Sequence, residues 1–403
     1  MCGGVNRQAT EIARPTFETE PQAAREERFH KTPTLDDHWY RIANADEVPS
    51  PALLVSPGRI AENLDRMIAA AGSAHRLRPR VKTHKMPDVI RMQLDRGMEK
   101  FKVATIAEAE MTAVAGGRDV LLAYPVVGPA ARRLAALAAA HPRTTFRAIT
   151  DSPGGIDDLS MAAGAAGVSL DVLLDLDVGF GRTGIRPGPE AAELYRRIAA
   201  APHLTAGGLH AYDGHLHDTD HERLVAAVEA AFAAVWAFRD ALRAGGLPVP
   251  RTVVSGTPTF TILAAYDDVE VGAGTTVLWD AGQAEISSDL EFLAAAVLLT
   301  RVVSKPGTSR LCLDLGHKAV ASEMPHPRMR LLGLEEATFP IHSEEHLVVE
   351  IPRAADYAVG DVIYAVPRHV CPTVALHDEV LVVRDGRTLE RWPVPARRRR
   401  ISV

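Results

Sequence analysis

The sequence predicts a (β/α)8 TIM-type barrel followed by a mostly β C-terminal domain. Between residues 77 and 271, eight short apolar runs alternate with alanine-rich stretches of helical length, and eight strand–helix units close such a barrel. After about residue 275 the apolar runs alternate with polar residues, and helical periodicity nearly vanishes, which is typical of β structure. An open doubly wound sheet has the same strand–helix alternation and is the alternative for the first part.

The length predicts more than one domain, because 403 residues are many for a single hydrophobic core. Residues 1–33 lack apolar periodicity and are predicted to be a mobile extension. We place the barrel, with a leading strand, in residues 34–274 and the β domain in residues 275–403.

The elements follow from the apolar pattern along the chain. A leading strand over 51–56 precedes a helix that ends at Gly72, and its apolar face consists of Ile60, Leu64, Met67 and Ile68. The barrel strands are predicted at 77–82, 100–104, 119–123, 144–149, 170–176, 204–210, 251–255 and 269–271. Thr105 is expected to cap a helix over 106–116. In the β domain, strands are predicted at 297–303, 311–315, 346–351, 362–366 and 380–383.

The composition excludes several classes of function. A net charge of -6 provides no broad basic field, so nucleic acid is not an expected partner. No run of about 18 uninterrupted apolar residues occurs, so a membrane span is not expected. The cysteines number three and are widely spaced, which indicates no disulfide framework. With no secretory signal in the first 30 residues, this pattern predicts a cytoplasmic protein.

The first predicted barrel strand ends at Lys82, and catalytic groups of such barrels lie at the C-terminal ends of the strands. A lysine amine presented there can form a Schiff base with an aldehyde cofactor such as pyridoxal phosphate. The alternative is a solvated basic turn, because Lys82 and Lys85 stand among other basic residues.

Other strand ends supply groups that suit the same cofactor. The fifth strand is followed by a glycine-rich loop, the sixth ends in aromatic and imidazole groups, and the seventh ends in a small, hydroxyl-rich turn of the kind that holds phosphate. The candidate cofactor-binding residues, with Lys82, are Arg182, His210, Tyr212, Ser255, Gly256 and Thr257.

His369 and Cys371 form a candidate metal pair in the β domain. If both lie in a strand, residues two apart face the same side and can bind one ion. Nitrogen and sulfur donors favour zinc over manganese or magnesium. A buried structural cysteine beside an ordinary histidine is the alternative.

A second histidine pair, His215 and His217, is similar to the pair used by metal-dependent barrel hydrolases. In those hydrolases the pair follows the first strand, whereas here it follows the sixth. A hydrolase is therefore the weaker hypothesis.

Several motifs occur together in one order. They are Arg78-Pro79, Val81-Lys-Thr-His-Lys85, Lys102-Val-Ala-Thr105, Glu108-Ala-Glu110, Gly181-Arg-Thr-Gly184, Gly208-Leu-His210, Tyr212-Asp-Gly-His215, Ser255-Gly-Thr-Pro258 and His369-Val-Cys-Pro-Thr373. This set resembles the fold-type III pyridoxal-phosphate enzymes of the D-threonine aldolase and D-serine dehydratase family, which are related to alanine racemase. The resemblance extends from about residue 50 to 400. The family often has histidine where this chain has Arg80.

The resemblance implies a role for each candidate residue. Lys82 would be the Schiff-base lysine, Arg182 and His210 would line the cofactor ring, and Ser255 to Thr257 would hold the phosphate. The catalytic residues would be Lys82 and His369, and His369 and Cys371 would bind a divalent metal beside the substrate hydroxyl.

The resemblance also implies a homodimer and a lyase reaction on a small β-hydroxy-D-amino acid. D-threonine aldolase, which yields glycine and an aldehyde, is the leading hypothesis, because Leu313–Val320 and Leu209–His217 are more similar to such aldolases. A dehydratase of D-serine or 3-hydroxy-D-aspartate is the alternative, since His-x-Cys is typical of dehydratases. A non-catalytic pyridoxal-phosphate carrier would need no metal pair and no residues 275–403.

Overall fold

The structure is a computed structural model that describes residues 38–287 and 289–403. The predicted extension over residues 1–33 lies outside this part of the chain. The strands of the first half are β1 (Ala52–Val55), β2 (Lys100–Val103), β3 (Asp119–Leu122), β4 (Thr145–Thr150), β5 (Leu170–Leu176), β6 (Leu204–Ala211), β7 (Thr252–Val254) and β8 (Glu270–Val271). Those of the second half are β9 (Ala296–Ser304), β10 (Arg310–Leu313), β11 (Met329–Leu332), β12 (Thr338–His342), β13 (Leu347–Glu350), β14 (Val362–Pro367), β15 (Glu379–Arg384) and β16 (Arg387–Pro393).

Helices follow most strands of the first half. They are α1 (Pro57–Ala71), α2 (Pro87–Leu94), α3 (Ile106–Val114), α4 (Pro129–Ala140), α5 (Pro153–Ala166), α6 (Pro189–Ala200), α7 (His221–Ala244), α8 (Phe260–Ala264), α9 (Ala281–Ile286) and, late in the chain, α10 (Val370–Leu376). As predicted, Gly72 ends α1 in a left-handed conformation. The Thr105 hydroxyl accepts a hydrogen bond from Glu108 N and caps α3. None of the helices in the described residues is long and apolar enough to cross a membrane.

Strands β2 to β8 form a parallel sheet in sequential order, and a short extended segment completes the ring. In this segment Leu77 bridges Val271 of β8 and Arg80 bridges Lys102 of β2. The predicted (β/α)8 barrel is therefore confirmed, with one correction to its first strand. Residues 77–82 do not form a regular strand, because Pro79 has no N–H to donate and the chain turns into a single 3-10 turn at Val81–Thr83.

The second sheet has nine strands and contains β1 together with β9 to β16. The leading strand, predicted in the same unit as the barrel, is β1, and it pairs antiparallel with β9 and parallel with β15. Three strands, β11, β12 and β16, are not predicted from the sequence. Strands β12 and β16 contain proline, and β11 has only four residues. For β16 a signal existed, since the preceding Asp385 and Gly386 both have positive φ, as an Asp-Gly hairpin turn requires.

A ring of alternating charges fills the N-terminal end of the barrel interior. Arg78 is completely buried and donates to Asp119 at 2.7 Å and Glu270 at 2.6 Å. Burial by itself would raise the pKa values of Asp119 and Glu270, but their basic partners outweigh it and lower both pKa values. The ring continues through Arg147, Asp171, Arg251 and Lys100. These paired charges tie together strands that are distant in the sequence.

An apolar layer separates this ring from the C-terminal mouth of the barrel. It consists of Leu121, Ile149, Leu173 and Val253, all buried. Because side chains of a strand alternate between its two faces, residues 171, 173 and 175 of β5 all point inward. The same strands thus supply the charged ring, the apolar layer and the polar mouth.

We predict that Arg78→Met lowers the free energy of unfolding by about 3 kcal/mol at pH 7, because Asp119 and Glu270 lose the buried partner that they share and keep only Arg147 and Lys100. The lowered pKa values of Asp119 and Glu270 stabilise the folded wild type above about pH 4, and this stabilisation is lost as the pH falls. In the variant, Arg147 and Lys100 still lower the carboxylate pKa values, but the contribution of Arg78 is lost. The difference between the two proteins should therefore shrink on acidification.

Urea denaturation at pH 7 and pH 3 measures both effects. Arg91→Met is the matched control, because Arg91 pairs with Asp88 at 2.8 Å on the surface and its loss should cost less than about 1 kcal/mol. Equal losses for the two variants would contradict the structural role of Arg78.

Candidate active site

Lys82 lies at the C-terminal mouth of the barrel, in the 3-10 turn that follows the closing segment. Its amine makes no hydrogen bond or ion pair with the described residues, whereas the neighbouring Lys85 pairs with the buried Glu108. Glu108 also accepts a hydrogen bond from Ala104 N at 2.7 Å. Of the two lysines of the motif, Lys82 is therefore the available nucleophile.

Backbone N–H groups donate hydrogen bonds to the side chains of the turn after β7 and fix its position. Ser255 has a positive φ of 77°, and its hydroxyl accepts from Gly272 N at 2.9 Å. The Thr257 hydroxyl accepts from Gly274 N at 3.4 Å and Thr275 N at 3.3 Å. Because a hydroxyl that accepts can still donate its own hydrogen, both side chains keep a donor for an anion.

Arg80 joins this turn to the aromatic side of the mouth. It donates to Ser255 O at 2.8 Å and to Gly272 O at 3.1 Å, and its guanidinium lies 4.0 Å from the ring centroid of Tyr212. Arg182 lies 4.9 Å from the same ring. Arg80 above all, followed by Lys82 and Arg182, lowers the pKa of Tyr212 against the effect of burial.

Arg182 extends from the loop between β5 and α6. Asp177 shapes this loop by accepting from Gly179 N and Gly181 N, both at 3.0 Å. Gly184 has a φ of 99°, and a Cβ there would lie 2.6 Å from Asp177 N, so the position requires glycine. The loop holds an exposed arginine over the mouth.

His210 lies inside the mouth and is almost fully buried. Its Nδ1 is 2.6 Å from Asp175 Oδ1, and burial lowers its pKa despite that carboxylate. A neutral ring with Nδ1–H donated to Asp175 leaves Nε2 as an acceptor. Nε2 has no partner in the described residues.

The other histidines that follow the sixth barrel strand do not gather around His210. His215 stacks on Phe180 with centroids 5.5 Å apart, and His221 lies 3.0 Å from the exposed Asp289. Within the described ranges, no three His, Cys, Asp or Glu side chains gather as a metal site. This arrangement does not support the hydrolase hypothesis.

His369 and Cys371 lie beside Lys82, although not in a strand as predicted. Strand β14 ends at Pro367, His369 is the N-cap residue of α10, and Cys371 is in its first turn. The pair remains together, since each of the two side chains shifts the pKa of the other. The Cys371 Sγ is 3.3 Å from Thr83 Oγ1 and 3.8 Å from Thr275 Oγ1.

The surroundings lower the pKa of Cys371 and raise the pKa of His369. Burial disfavours the charged forms, but the hydrogen bond from His369 and the charge of Lys82 lower the pKa of Cys371. Contacts with Cys371 and Glu323 raise the pKa of His369 to about 9. A thiolate is the form of cysteine that binds metal ions.

Sequence reasoning missed the residues that support these groups. Glu323 holds His369 Nδ1 at 2.5 Å, and Asp213 accepts from Thr259 Oγ1 at 2.6 Å beneath the Ser255 turn. Both are long-range contacts with no local signal. Lys102 was detectable, because it follows Lys100 by two residues in a strand and so shares its inward face.

The mouth has hydrogen-bonding groups of the kind that pyridoxal phosphate requires. Buried polar atoms there without a partner in the described residues include Lys102 Nζ, His210 Nε2 and Asp213 Oδ1. A Cβ on Gly272 or Gly274 would lie within 2.7 Å of the Lys102 or Arg80 side chain, so these glycines make room for the two basic side chains. The available amine of Lys82, the hydroxyl donors of Ser255 and Thr257, and the His210 ring thus fit this cofactor.

Two family models match the chain. Residues 55–278 match the model described as alanine racemase, N-terminal domain, and residues 295–383 match a serine dehydratase domain. The two matches fall on the barrel and on the second sheet.

Characterised relatives match most of the chain. A D-threonine aldolase of Arthrobacter sp. is 31% identical over 87% of this chain and 93% of the relative. A 3-hydroxy-D-aspartate aldolase of Paracoccus denitrificans (strain Pd 1222) is 31% identical over 87% and 92%. A D-threo-3-hydroxyaspartate dehydratase of Delftia sp. (strain HT23) is 27% identical over 85% and 96%.

Among solved structures, D-threonine aldolase from Filomicrobium marinum superposes with a TM-score of 0.81 at 30% sequence identity. The match covers 89% of this chain and 97% of that chain. The architecture and the sequence thus match the same group of proteins.

Proposed function

This chain belongs to the fold-type III pyridoxal-phosphate lyases of the D-threonine aldolase and D-serine dehydratase family, and from this membership we propose that it cleaves D-threonine or a close β-hydroxy-D-amino acid to glycine and an aldehyde. Pyridoxal phosphate and a divalent metal are the proposed cofactors. The relatives that are 31% identical are both aldolases.

One contact carries the proposal. The Cys371 thiol lies 3.3 Å from the hydroxyl of Thr83, which is the residue after Lys82. This contact places a nitrogen–sulfur pair from the second sheet beside the amine at the barrel mouth. Amine chemistry at an α-carbon and activation of a neighbouring hydroxyl can therefore act on one small substrate.

The barrel residues are proposed to bind pyridoxal phosphate. The cofactor supplies an electron sink for the electron pair released at the substrate α-carbon. Lys82 holds the cofactor aldehyde, the hydroxyls of Ser255 and Thr257 with the backbone of Gly256 hold the phosphate, and Arg182, His210 and Tyr212 line the ring.

His369 and Cys371 are the proposed metal ligands. A divalent ion on such a pair lowers the pKa of a bound hydroxyl as a Lewis acid, and the thiolate favours zinc. Glu323 orients the His369 imidazole through Nδ1, a carboxylate–histidine arrangement that typically fixes the ligand nitrogen. A base near this pair that takes the hydroxyl proton would favour breakage of the Cα–Cβ bond, because the oxygen electron pair then forms the aldehyde carbonyl.

A dehydratase is the second candidate, because the same groups can act in another order. If Lys82 removes the α-proton and the hydroxyl leaves as hydroxide, the substrate loses water instead of an aldehyde. The His-x-Cys pair and the 27% identical dehydratase of Delftia support this candidate.

Incubation of the purified protein with pyridoxal phosphate, a divalent metal and D-threonine tests the proposal. We expect glycine and acetaldehyde in equal amounts. Ammonia with 2-oxobutanoate would identify a dehydratase, and no product from a protein that has bound the cofactor would exclude D-threonine as the substrate.

We predict that Lys82→Ala abolishes turnover and the visible absorbance of the bound cofactor, because the amine that holds the aldehyde is removed. Lys85→Ala should keep that absorbance but lower stability by about 1–3 kcal/mol, since it leaves Glu108 buried without its partner. Borohydride reduction and peptide mass spectrometry locate the modified lysine. A cofactor adduct on Lys85 would contradict the assignment.

We predict that Cys371→Ala weakens metal affinity by on the order of 100-fold while the cofactor stays bound, because only a metal ligand is lost. Cys312→Ala is the matched control, since Cys312 is equally buried but lies in β10. Chelator competition measures metal affinity, and absorbance reports the cofactor. Equal metal affinity in the two variants would exclude Cys371 as a ligand.

A further inference from the structure

Lys102 is a buried lysine whose amine has no partner in the described residues. It is 2% exposed, and its Nζ makes no hydrogen bond there. Two residues earlier on the same face, Lys100 pairs with Glu270 at 2.8 Å. An unpaired buried amine destabilises a folded protein, so packing and ion pairing do not explain Lys102 as they explain Lys100.

The amine lies in the barrel interior just below the Ser255 turn. A Cβ on Gly272 would lie 2.6 Å from both Cε and Nζ of Lys102, so the lysine occupies the space that the glycine leaves. Gly272 N donates to Ser255 Oγ at 2.9 Å, and Gly272 O accepts from Arg80 at 3.1 Å. Lys102 therefore reaches the residue that anchors the proposed phosphate turn.

Four charged groups face Lys102 from the surrounding strands. Burial first, and then Arg80 and Arg78, lower the pKa of Lys102 well below its ordinary value, while Asp213 and Asp175 act in the opposite direction. Because these effects together lower its pKa, the Lys102 amine is neutral more often than the amine of an exposed lysine. A neutral amine can donate N–H without adding charge to the site.

The other buried groups at the mouth already have a hydrogen bond. His210 and Asp175 bond to each other, and Asp213 accepts from Thr259. Lys102 is the titratable side chain at the mouth interior, within the described residues, that combines full burial with no hydrogen bond. The ring nitrogen of pyridoxal phosphate is para to the carbon that bears the aldehyde, and protein groups at that nitrogen tune the cofactor.

We propose that the Lys102 amine donates a hydrogen bond to the ring nitrogen of pyridoxal phosphate and thereby positions and tunes the cofactor. This inference rests on the proposed cofactor site. An amine donor leaves the ring nitrogen without a proton, whereas a carboxylate partner would hold a proton there.

Lys102→Met and Lys100→Met in the full chain provide the matched test. Three quantities are measured for each: the unfolding temperature without cofactor, the affinity for pyridoxal phosphate, and the pH titration of the visible absorbance of the bound cofactor. For Lys102→Met we expect an unfolding temperature equal to or above that of the wild type, cofactor affinity weakened about tenfold, and a titration midpoint moved by about one pH unit.

Lys100→Met should lower the unfolding temperature and leave both cofactor properties as in the wild type. Gly272→Ala gives an independent test, because its Cβ displaces the amine without removing it, and it should shift the absorbance titration in the same direction as Lys102→Met. If Lys102→Met does not fold, Gly272→Ala decides.

Wild-type affinity and an unchanged titration in a folded Lys102→Met or Gly272→Ala variant would overturn the inference. A lower unfolding temperature with both cofactor properties unchanged would also overturn it, because Lys102 would then be purely structural. Failure of the wild type to bind pyridoxal phosphate is a different result, since it would remove the proposed function itself.

Discussion

The buried ion pairs of Arg78 are the constraint on which the site depends. The barrel closes through a segment that has only isolated bridges to β2 and β8, and Arg78 attaches this segment to Asp119 of β3 and Glu270 of β8. Buried charges are stable only when they are paired, so the guanidinium has one arrangement. Because Lys82 follows Arg78 by only four residues, the ion pairs that fix the closing segment also fix the position of Lys82 at the mouth.

The second sheet completes the site. Strand β1 belongs to that sheet although it precedes the barrel in the chain. Strand β14 of the same sheet is followed directly by α10, which lies at the mouth. Cys371 thereby reaches Thr83, which is 288 residues away in the sequence. Neither unit holds all the groups that the proposed chemistry needs, and the contact between them combines an amine from one with a thiol and an imidazole from the other.

The barrel interior combines stability and reactivity along the same strands. At the N-terminal end, charges neutralise each other in the ring from Arg78 to Arg251. Beyond the apolar layer, Lys102, His210 and Asp213 each retain a buried atom without a partner. Such atoms reduce stability unless a ligand satisfies them, which is the arrangement expected of a binding site rather than of a core.

The sequence by itself determined the barrel, the mostly β second part, and the motifs of the candidate site, because alternation and helical periodicity record which faces are buried. It also marked Lys82, Ser255 and the His369–Cys371 pair through local residue chemistry. Only the tertiary structure decided that β1 pairs in the second sheet, that the metal pair begins a helix, and that Glu108 binds Lys85 and leaves Lys82 available. These facts depend on contacts between residues far apart in the chain, and local patterns carry no information about such contacts.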